Sequence, residues 1–368
     1  CGSYTGNGSS DGPEIDLGFE PQFLLYKNIN QATNWEMIDT MRGMPNTSGE
    51  HSGYMTQLKP NSANGEGTDF TTYPTSTGFK ITNSGASNNG TNNTYIYIAI
   101  RRPNKPPTVG TQVFMPISRS GTGQSETPIT GVGFAPDTHF SKILSNGNTY
   151  QNLWFDKLIG PGTYIKPADP VQANTSSNIQ ESFDQDGVTV GNGNNANGGS
   201  ETYINYFFKR APGFYDTVVY PGTGSAQQVN HNLGVTPELM IVKCRTNNGG
   251  WAVYNATSGP TKGNLLNSGY GEFTFNEYWN STAPTSTQFT VATDGAVNDS
   301  GQVYSAYVFA SQSGVSKVGS YTGTGSDINI DCGFTSGARF ILIKRTDTTG
   351  DWYIWDTARG ITSGNDPY

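Results

Sequence analysis

Histidines and carboxylates are the residues of this chain whose chemistry could support catalysis, and their spacing argues against it. The three histidines, His51, His139 and His231, lie far apart, and none accompanies a matching serine or cysteine arrangement. A nucleophilic triad needs a base held beside an activated hydroxyl or thiol, and zinc sites need closely spaced His or Cys ligands. The sequence therefore predicts a protein that is not an enzyme and has no cofactor.

Two carboxylate pairs come nearest to a glycosidase site, which needs one acid and one base or nucleophile at a defined separation. The pairs are Asp184 with Asp186 and Glu272 with Glu277, and the second pair lies beside Trp279. Because acidic residues are common in turns, where they bond to their own backbone, we favour solvated-loop roles for both pairs. Carbohydrate degradation stays open as an alternative.

One oxygen-rich loop has the composition of a calcium site, since calcium takes several hard oxygen ligands from loops. Its weak candidate ligands are Asp294, Asn298 and Asp299, and their spacing does not follow the EF-hand pattern. Aspartate and asparagine also favour turns for purely local reasons. We therefore interpret this segment as a turn, with calcium binding as the alternative.

Two sets of aromatic residues call for different interpretations. One set recurs in every copy of a repeat described below: Trp35, Trp154, Trp251 and Trp352. A residue that every copy needs is predicted to be a structural plug of the core. The other set lies in the segments that vary most between copies: Tyr73, Tyr164, Tyr278 and Trp279. Variable loops on a fixed scaffold commonly carry recognition, so we predict that these are exposed ligand-binding residues.

The elements that would position these residues repeat along the chain, and such repeats dictate the architecture. Gly2–Gly6 (GSYTG) returns as Gly319–Gly323, and each copy has an apolar run that ends in a lysine and is followed by a tryptophan. The lysines are Lys27, Lys142, Lys243 and Lys344. We predict modules at residues 1–103 (repeat 1), 104–212 (repeat 2) and 213–313 (repeat 3), with a partial, truncated repeat 4 at 314–368.

Composition indicates how each repeat folds. Glycine occupies 47 of 368 positions, charged residues are 14% and aromatic residues 12% of the chain. Apolar runs are short, rich in Ile, Val, Tyr and Phe, and bounded by Gly, Asn, Pro and Ser, which is typical of strands and turns. We predict an all-β protein of tandem antiparallel β-sandwich modules, jelly-roll-like in type.

The charge, hydropathy and cysteine content of the sequence disfavour several classes of binding partner and site. The 29 acidic and 21 basic residues leave a net charge of −8, so the sequence lacks the basic footprint of a nucleic-acid-binding protein. No apolar run approaches the length of a membrane helix, so we expect no membrane insertion. Cys1, Cys244 and Cys332 form no closely spaced pair. Cys1 at the start and an unfinished last repeat favour a window of a longer polypeptide.

The recurring blocks resemble a repeated domain of tailed-phage structural proteins, seen especially in tail-fibre and appendage proteins of marine phages. The blocks are Tyr-x-Gly-Thr-Gly, Gly-Phe-x-Pro, an apolar run ending in Lys, a Trp and Asp-x-x-Arg-Gly. The last block stands at Asp39–Gly43 and Asp356–Gly360, whereas repeat 2 has a displaced Asp156 and repeat 3 has Asn255. The resemblance covers nearly the whole chain and implies a concanavalin-like or SPRY-like sandwich.

These observations favour a virion structural protein: a tail fibre or other extracellular appendage that takes part in host attachment. Its expected partners are other virion proteins and further copies of itself in a homo-oligomer. Host-surface glycan binding through the variable loops is part of this hypothesis, because repeated weak sugar sites gain from multivalency. The alternatives are a capsid or tail decoration protein without adhesion, a carbohydrate-degrading fibre enzyme, and a secreted bacterial adhesin.

Overall fold

The computed structural model describes residues 1–44, 56–68, 72–144 and 151–361. Strands contain 38% of the residues and helices 2%, and the sheets are antiparallel, so the prediction of an all-β, sandwich-type fold is confirmed. Short runs of β-branched and aromatic residues between Gly- and Asn-rich turns account for this preference. No helix in the described ranges is long and apolar enough to cross a membrane.

The first compact unit comprises Cys1–Pro103 together with Phe155–Thr163. The strands of repeat 1 are β1 (Gly2–Thr5), β2 (Glu14–Asp16), β3 (Pro21–Asn28), β4 (Glu36–Asp39), β5 (Thr56–Gln57), β6 (Gly67–Thr68), β7 (Thr72–Thr75), β8 (Gly78–Ile81) and β9 (Thr94–Arg101). One sheet has the order β1-β9-β3-β4 and a second the order β2-β8-β7, while β5 and β6 form a hairpin. Leu24 and Tyr95 of the first sheet pack with Phe79 and Ile81 of the second, which forms the core of this repeat.

The second compact unit comprises Asn104–Trp154 and Tyr164–Tyr368. The elements of repeat 2 are a 3-10 helix (Gly110–Gln112), β10 (Phe114–Ser120), β11 (Thr127–Ile129), β12 (Thr138–Ile143), β13 (Leu153–Asp156), β14 (Thr163–Tyr164), β15 (Asn174–Thr175), β16 (Gln180–Asp184), β17 (Gly187–Val190), α1 (Asn194–Asn197) and β18 (Thr202–Phe208). The sheet orders are β10-β18-β12-β13 and β11-β17-β16, with β14 paired to β15.

Repeats 3 and 4 complete this unit. Their strands are β19 (Tyr215–Pro221), β20 (Gln227–Asn230), β21 (Leu239–Cys244), β22 (Ala252–Asn255), β23 (Lys262–Leu265), β24 (Phe273–Thr274), β25 (Gln288–Val291), β26 (Val303–Phe309), β27 (Phe340–Lys344) and β28 (Trp352–Asp356). The main sheet of repeat 3 has the order β19-β26-β21-β22-β23-β24, and β20 pairs with β25. In repeat 4, β27 pairs with β28.

The same strand order therefore occurs in three places: first strand, last strand, lysine-ending strand and the strand at the recurring tryptophan. Successive side chains of a strand point to opposite faces. We call the face that packs on the second sheet of its own repeat the inner face, and the opposite face the outer face. Tyr304 of β26 lies on the inner face in the core of repeat 3, whereas its neighbour Ser305 lies on the outer face. The exact module boundaries stay a prediction.

Candidate assembly face

The Gly-Thr-Gly motif closes the sandwich of repeat 3. In repeat 3 the Gly222 N–H donates to the Gln302 carbonyl at 2.8 Å, and the Gly224 N–H donates to the Asn298 carbonyl at 2.8 Å. A Cβ atom on Gly222 would lie 2.1 Å from the Asp299 carbonyl oxygen, and Gly224 has a φ of +72°. Only glycine fits both positions without strain. The motif therefore fastens the first strand to the loop before the last strand.

A buried asparagine supports the same loop. Asn298 is fully buried, and its Nδ2 donates to the carbonyls of Ser225 (2.6 Å) and Ala292 (2.5 Å). Its Oδ1 accepts from the Thr223 N–H at 2.9 Å and the Gln227 amide at 2.7 Å. Asn89 and Asn197 are equally buried at the aligned positions of repeats 1 and 2. These amides hold the loop by satisfying its backbone groups in the interior.

The recurring lysine and tryptophan instead form hydrogen bonds outside their own repeat. Trp251 of repeat 3 is fully buried, and its Nε1–H donates to the carbonyls of Lys166 (3.1 Å) and Asp169 (3.2 Å) in repeat 2. The Lys243 ammonium donates to the carbonyls of Cys244 (2.7 Å) and Pro170 (3.3 Å), and burial lowers the pKa of this lysine to about 8. Repeat 3 thus binds a loop of repeat 2 through hydrogen-bond donors on its outer face.

Repeat 4 binds repeat 3 through the same kind of hydrogen bonds. The Trp352 Nε1–H donates to the Leu265 carbonyl at 3.0 Å, and the Lys344 ammonium donates to the Gly269 carbonyl at 3.0 Å. The Glu272 N–H adds a bond of 2.8 Å to the Thr346 carbonyl. Two consecutive junctions therefore use the same two sequence positions for the same contact.

Aromatic rings fill the space between the outer faces of repeats 2, 3 and 4. The ring centroids of Trp154 and Tyr307 are 4.8 Å apart, which joins repeats 2 and 3. Those of Tyr206 and Phe340 are 5.2 Å apart in an edge-on arrangement, which joins repeats 2 and 4. Packed pairs of this kind add to the stabilisation from burial itself. Each of the three repeats therefore contacts the other two.

An ion pair anchors this interface. Asp356 of repeat 4 is buried, and its Oδ2 accepts from Arg359 Nε at 2.5 Å and from the Tyr206 hydroxyl of repeat 2 at 2.7 Å. Burial, followed by the bond to Asp356, raises the pKa of Tyr206, so the hydroxyl stays protonated and donates. In repeat 1, Asp39 and Arg42 pair at 2.6 Å. Both Asp/Arg pairs of the motif are thus ion pairs in the structure.

Comparison with known protein families gives one match to this chain. A family model described as a domain of unknown function, DUF7483, matches residues 1–103 and 110–366. The chain belongs to the DUF7483 family. No curated protein and no solved structure matches the sequence.

The sequence did not indicate where the recurring tryptophans of this DUF7483 chain pack. We predicted that they are structural plugs of the core. Trp251 is fully buried and Trp154 is 7% exposed, but both pack on the outer face, between repeats. Trp35 and Trp352 are half-buried. Trp154 and Trp251 are therefore buried between repeats, because they lie at outer-face positions.

The predicted ligand-binding aromatics are mostly buried in this DUF7483 chain. Trp279 is 0%, Tyr278 6% and Tyr73 9% exposed, so the prediction that they are exposed was wrong. Trp279 and Tyr278 belong to the core cluster of repeat 3, and the Trp279 Nε1–H donates to the Lys262 carbonyl at 3.1 Å. The variable segments thus contribute aromatic side chains to the core. Little surface of these rings is left exposed for stacking on a sugar. Tyr164 is half-buried.

The calcium candidates act locally in the DUF7483 structure. Asp294 Oδ1 accepts from the Ala296 N–H at 2.8 Å, which is a turn contact. Asn298 Oδ1 already accepts two hydrogen bonds shorter than 3.0 Å, as described above. Asp299 contributes its backbone N–H to the Tyr304 hydroxyl at 2.6 Å. Within the described ranges, no cluster of three or more His, Cys, Asp or Glu side chains is arranged to hold a metal ion.

The candidate carboxylates separate into turn caps and loop residues. Asp186 accepts from the N–H groups of Gly131 (3.0 Å) and Gly133 (2.6 Å), which lower its pKa. Asp184 accepts from the hydroxyls of Ser182 and Thr189. In the other pair, Glu277 is exposed and Glu272 half-buried.

The histidines occupy unrelated environments. His139 is 1% exposed, and its ring nitrogens lie 2.8 Å from Gln180 Oε1 and 3.0 Å from Asn205 Oδ1. Burial lowers the pKa of His139 to about 4, so its imidazole is neutral at pH 7. His231 Nε2 lies 3.1 Å from the Thr285 carbonyl, and burial lowers its pKa as well. His51 lies outside the described residues.

Proposed function

We propose that this DUF7483 chain is a non-enzymatic structural protein of a virion, and that it builds a tail fibre or related appendage from interlocking β-sandwich repeats. The observation that carries the proposal is the recurring junction, in which a Trp and a Lys on the outer face bind backbone carbonyls of the preceding repeat. A junction made by positions present in every repeat can be extended along a chain, as in other repeat proteins.

The virion assignment is supported by the resemblance of the repeated blocks to those of tailed-phage structural proteins. The use of the motif residues also agrees with a scaffold role. Gly222, Asn298, Trp251 and Lys243 are all engaged in holding strands, loops or neighbouring repeats. Host-surface glycan binding stays a secondary part of the proposal and would have to use surfaces other than Tyr278 and Trp279, which are buried.

Localisation tests the proposal directly. An antibody raised against the recombinant chain, detected with gold on purified particles by electron microscopy, should label an appendage of the particle. Antibody pre-adsorbed with the recombinant chain is the control for specificity. Label on the head would support the decoration alternative, and label on cells without any on particles would refute the virion assignment.

The enzymatic alternative has its own test. A carbohydrate-degrading fibre would release reducing sugar from host polysaccharide, and Glu272→Gln or Glu277→Gln would abolish that release. Our proposal expects no release by the unmodified chain. Release that both substitutions eliminate would replace the structural proposal with an enzymatic one.

A further inference from the structure

Asparagine followed by glycine is a dipeptide with chemistry of its own. The peptide nitrogen of the glycine attacks Cγ of the preceding asparagine side chain, and a cyclic imide forms. In this step the bond from nitrogen to Cγ forms, the bond from Cγ to the amide nitrogen breaks, and ammonia leaves with the proton of the glycine N–H. Water then opens the imide to aspartate or isoaspartate. Glycine favours the attack, because it has no Cβ and its backbone is conformationally permissive.

The structure describes six Asn–Gly pairs, and they differ in what holds the glycine N–H. They begin at Asn7, Asn64, Asn89, Asn192, Asn197 and Asn248. The glycine nitrogen must lose its proton and turn towards Cγ before it attacks, and a hydrogen bond from that N–H opposes both changes until the backbone opens locally. In three pairs a backbone carbonyl accepts this bond: Gly8 donates to Asn89 (2.9 Å), Gly193 to Asn178 (2.7 Å) and Gly249 to Pro170 (2.7 Å).

A tyrosine of the last strand supplies the acceptor in the buried pair of repeat 2. The Gly198 N–H donates to the Tyr203 hydroxyl at 2.7 Å, and this hydroxyl donates in turn to the Asn194 carbonyl at 2.5 Å. Asn197 is fully buried, and its Nδ2 donates to the Gln124 carbonyl at 2.7 Å. Both reacting groups of this pair are therefore held by hydrogen bonds.

The buried pair of repeat 1 has the same arrangement. The Gly90 N–H donates to the Tyr95 hydroxyl at 2.7 Å, and this hydroxyl donates to the Ala86 carbonyl at 2.8 Å. Asn89 is fully buried, and its Nδ2 donates to the Ser9 carbonyl at 2.8 Å. The recurring tyrosine thus holds the reactive N–H in both repeats that have glycine at this position.

The pair at Asn64 differs from the other five. Asn64 and Gly65 are both exposed, in the connection between β5 and β6. Within the described ranges the Gly65 N–H has no hydrogen-bond acceptor, and a Cβ atom on Gly65 would have no atom within 4 Å. The backbone at Gly65 therefore has room to turn towards the Asn64 side chain.

We propose that this fold confines spontaneous deamidation to Asn64 among the described Asn–Gly pairs, and that Tyr95 and Tyr203 suppress the reaction at the buried pairs. Suppression preserves the loop before the last strand. The Asn197 amide donates to the Thr122 hydroxyl at 2.9 Å, whereas a carboxylate in its place could only accept hydrogen bonds. The proposal concerns the chain itself and stands whether or not the virion assignment holds.

Peptide mapping of the aged chain tests the selectivity. The full recombinant chain is incubated at mildly alkaline pH, and mass spectrometry follows the conversion of each amide to the acid. Asn64 should be converted ~10-fold faster than any of the other five pairs, since only its glycine N–H is open. Asn64→Gln should remove the main product, because the longer side chain closes a less favourable ring. Conversion of Asn89 or Asn197 as fast as that of Asn64, or an Asn64 that stays unconverted, overturns the proposal.

Tyr203→Phe tests the role of the tyrosine. The substitution removes the acceptor of the Gly198 N–H and retains the ring, so conversion of Asn197 should rise by ~10-fold while that of Asn64 stays the same. Far-UV circular dichroism checks that the variant is folded. The matched control is Thr122→Val, which removes a partner of the Asn197 amide but leaves the Gly198 N–H bonded. An unchanged rate in Tyr203→Phe, or an equal rise in Thr122→Val, contradicts protection by the hydroxyl.

Discussion

Repeat 1 and repeat 3 share a strand order but differ in what covers their outer faces. Trp251 of repeat 3 is fully buried and donates to two carbonyls of repeat 2, whereas Trp35 at the aligned position of repeat 1 is half-buried beside an open depression. Ile98 is 42% exposed where Tyr307 is fully buried. The inner faces do not differ in this way, since Tyr95 and Tyr304 are both fully buried.

The comparison separates two kinds of burial. Inner-face residues are buried by the second sheet of their own repeat, so every complete repeat buries them. Outer-face residues are buried only where another repeat is present. The outer-face motif positions therefore contribute to assembly between repeats, and their stabilising effect depends on the neighbours of each repeat.

Repeat 4 presents the reverse case. Its outer face is covered by repeats 2 and 3, through Phe340 and Trp352. Its inner face is open: Tyr353 is 52% exposed and its partner Ile343 is half-buried. The described part of repeat 4 contains the hairpin β27–β28 and no second sheet to pack on it.

The largest expected effect comes from removing a tryptophan between repeats. Trp251→Ala should lower the free energy of unfolding by about 3–5 kcal/mol, because it leaves a large cavity and two carbonyls without their donor. Trp35→Ala should cost about 1 kcal/mol or less, since its ring is not enclosed. Guanidinium unfolding followed by far-UV circular dichroism measures both. Equal losses would contradict the distinction between covered and open outer faces.

Repeats 1 and 2 have different residues at one inner-face position, and this difference should make the stability of the chain depend on pH. His139 stands where repeat 1 has Leu24, and burial holds its pKa at about 4, below the ordinary value of 6.5. The unfolded chain then binds a proton that the folded chain rejects, so stability is complete above pH 6.5 and falls as the pH drops towards 4. The loss from this residue should be ~3 kcal/mol.

His139→Leu tests the origin of that loss. The variant should be less stable at pH 7, because Gln180 and Asn205 lose their partner. Between pH 6.5 and 4 its unfolding free energy should fall by ~3 kcal/mol less than that of the unmodified chain. His231 is present in both proteins, so its contribution cancels. Parallel pH profiles would show that His139 does not titrate as described.

The smallest effect is expected for one hydroxyl of the interface. Tyr206→Phe should cost about 1–2 kcal/mol, because Asp356 loses a buried donor while it retains Arg359. Tyr353→Phe is the matched control on an exposed ring and should change stability by less than about 0.5 kcal/mol. Thermal unfolding of the two variants side by side measures the difference. Equal thermal unfolding midpoints for the two variants would show that the hydrogen bond from Tyr206 to Asp356 does not stabilise the junction.

Several features of the fold were predictable from local pattern. Short apolar runs between Gly and Asn turns indicated strands, because periodicity and turn chemistry act over a few residues. The paired Asp39 and Arg42 were predictable for the same reason, since they lie three residues apart. The buried asparagine carried a signal that our sequence interpretation did not use: Asn89, Asn197 and Asn298 each lie six positions before the recurring tyrosine of the last strand.

The candidate site was harder to predict. The variable segment that contains Tyr278 and Trp279 is typical of a recognition loop by sequence, yet it fills the core of its own repeat. Burial of such rings depends on where β22, β23 and β25 converge in space, and the local sequence of the segment does not specify that arrangement. Sequence variability between repeats therefore did not distinguish a binding loop from a core segment.

By itself, the sequence determined the strands, the turns and the recurrence of a Trp and a Lys in each repeat, because these follow from local residue types and their spacing. Only the tertiary structure decided which face those residues occupy and whether a neighbour covers them. Trp251 and Trp35 occupy the same position in the repeat but differ in burial, because burial depends on contacts between residues distant in sequence. The assembly role of the outer face is therefore a property of how the repeats pack together.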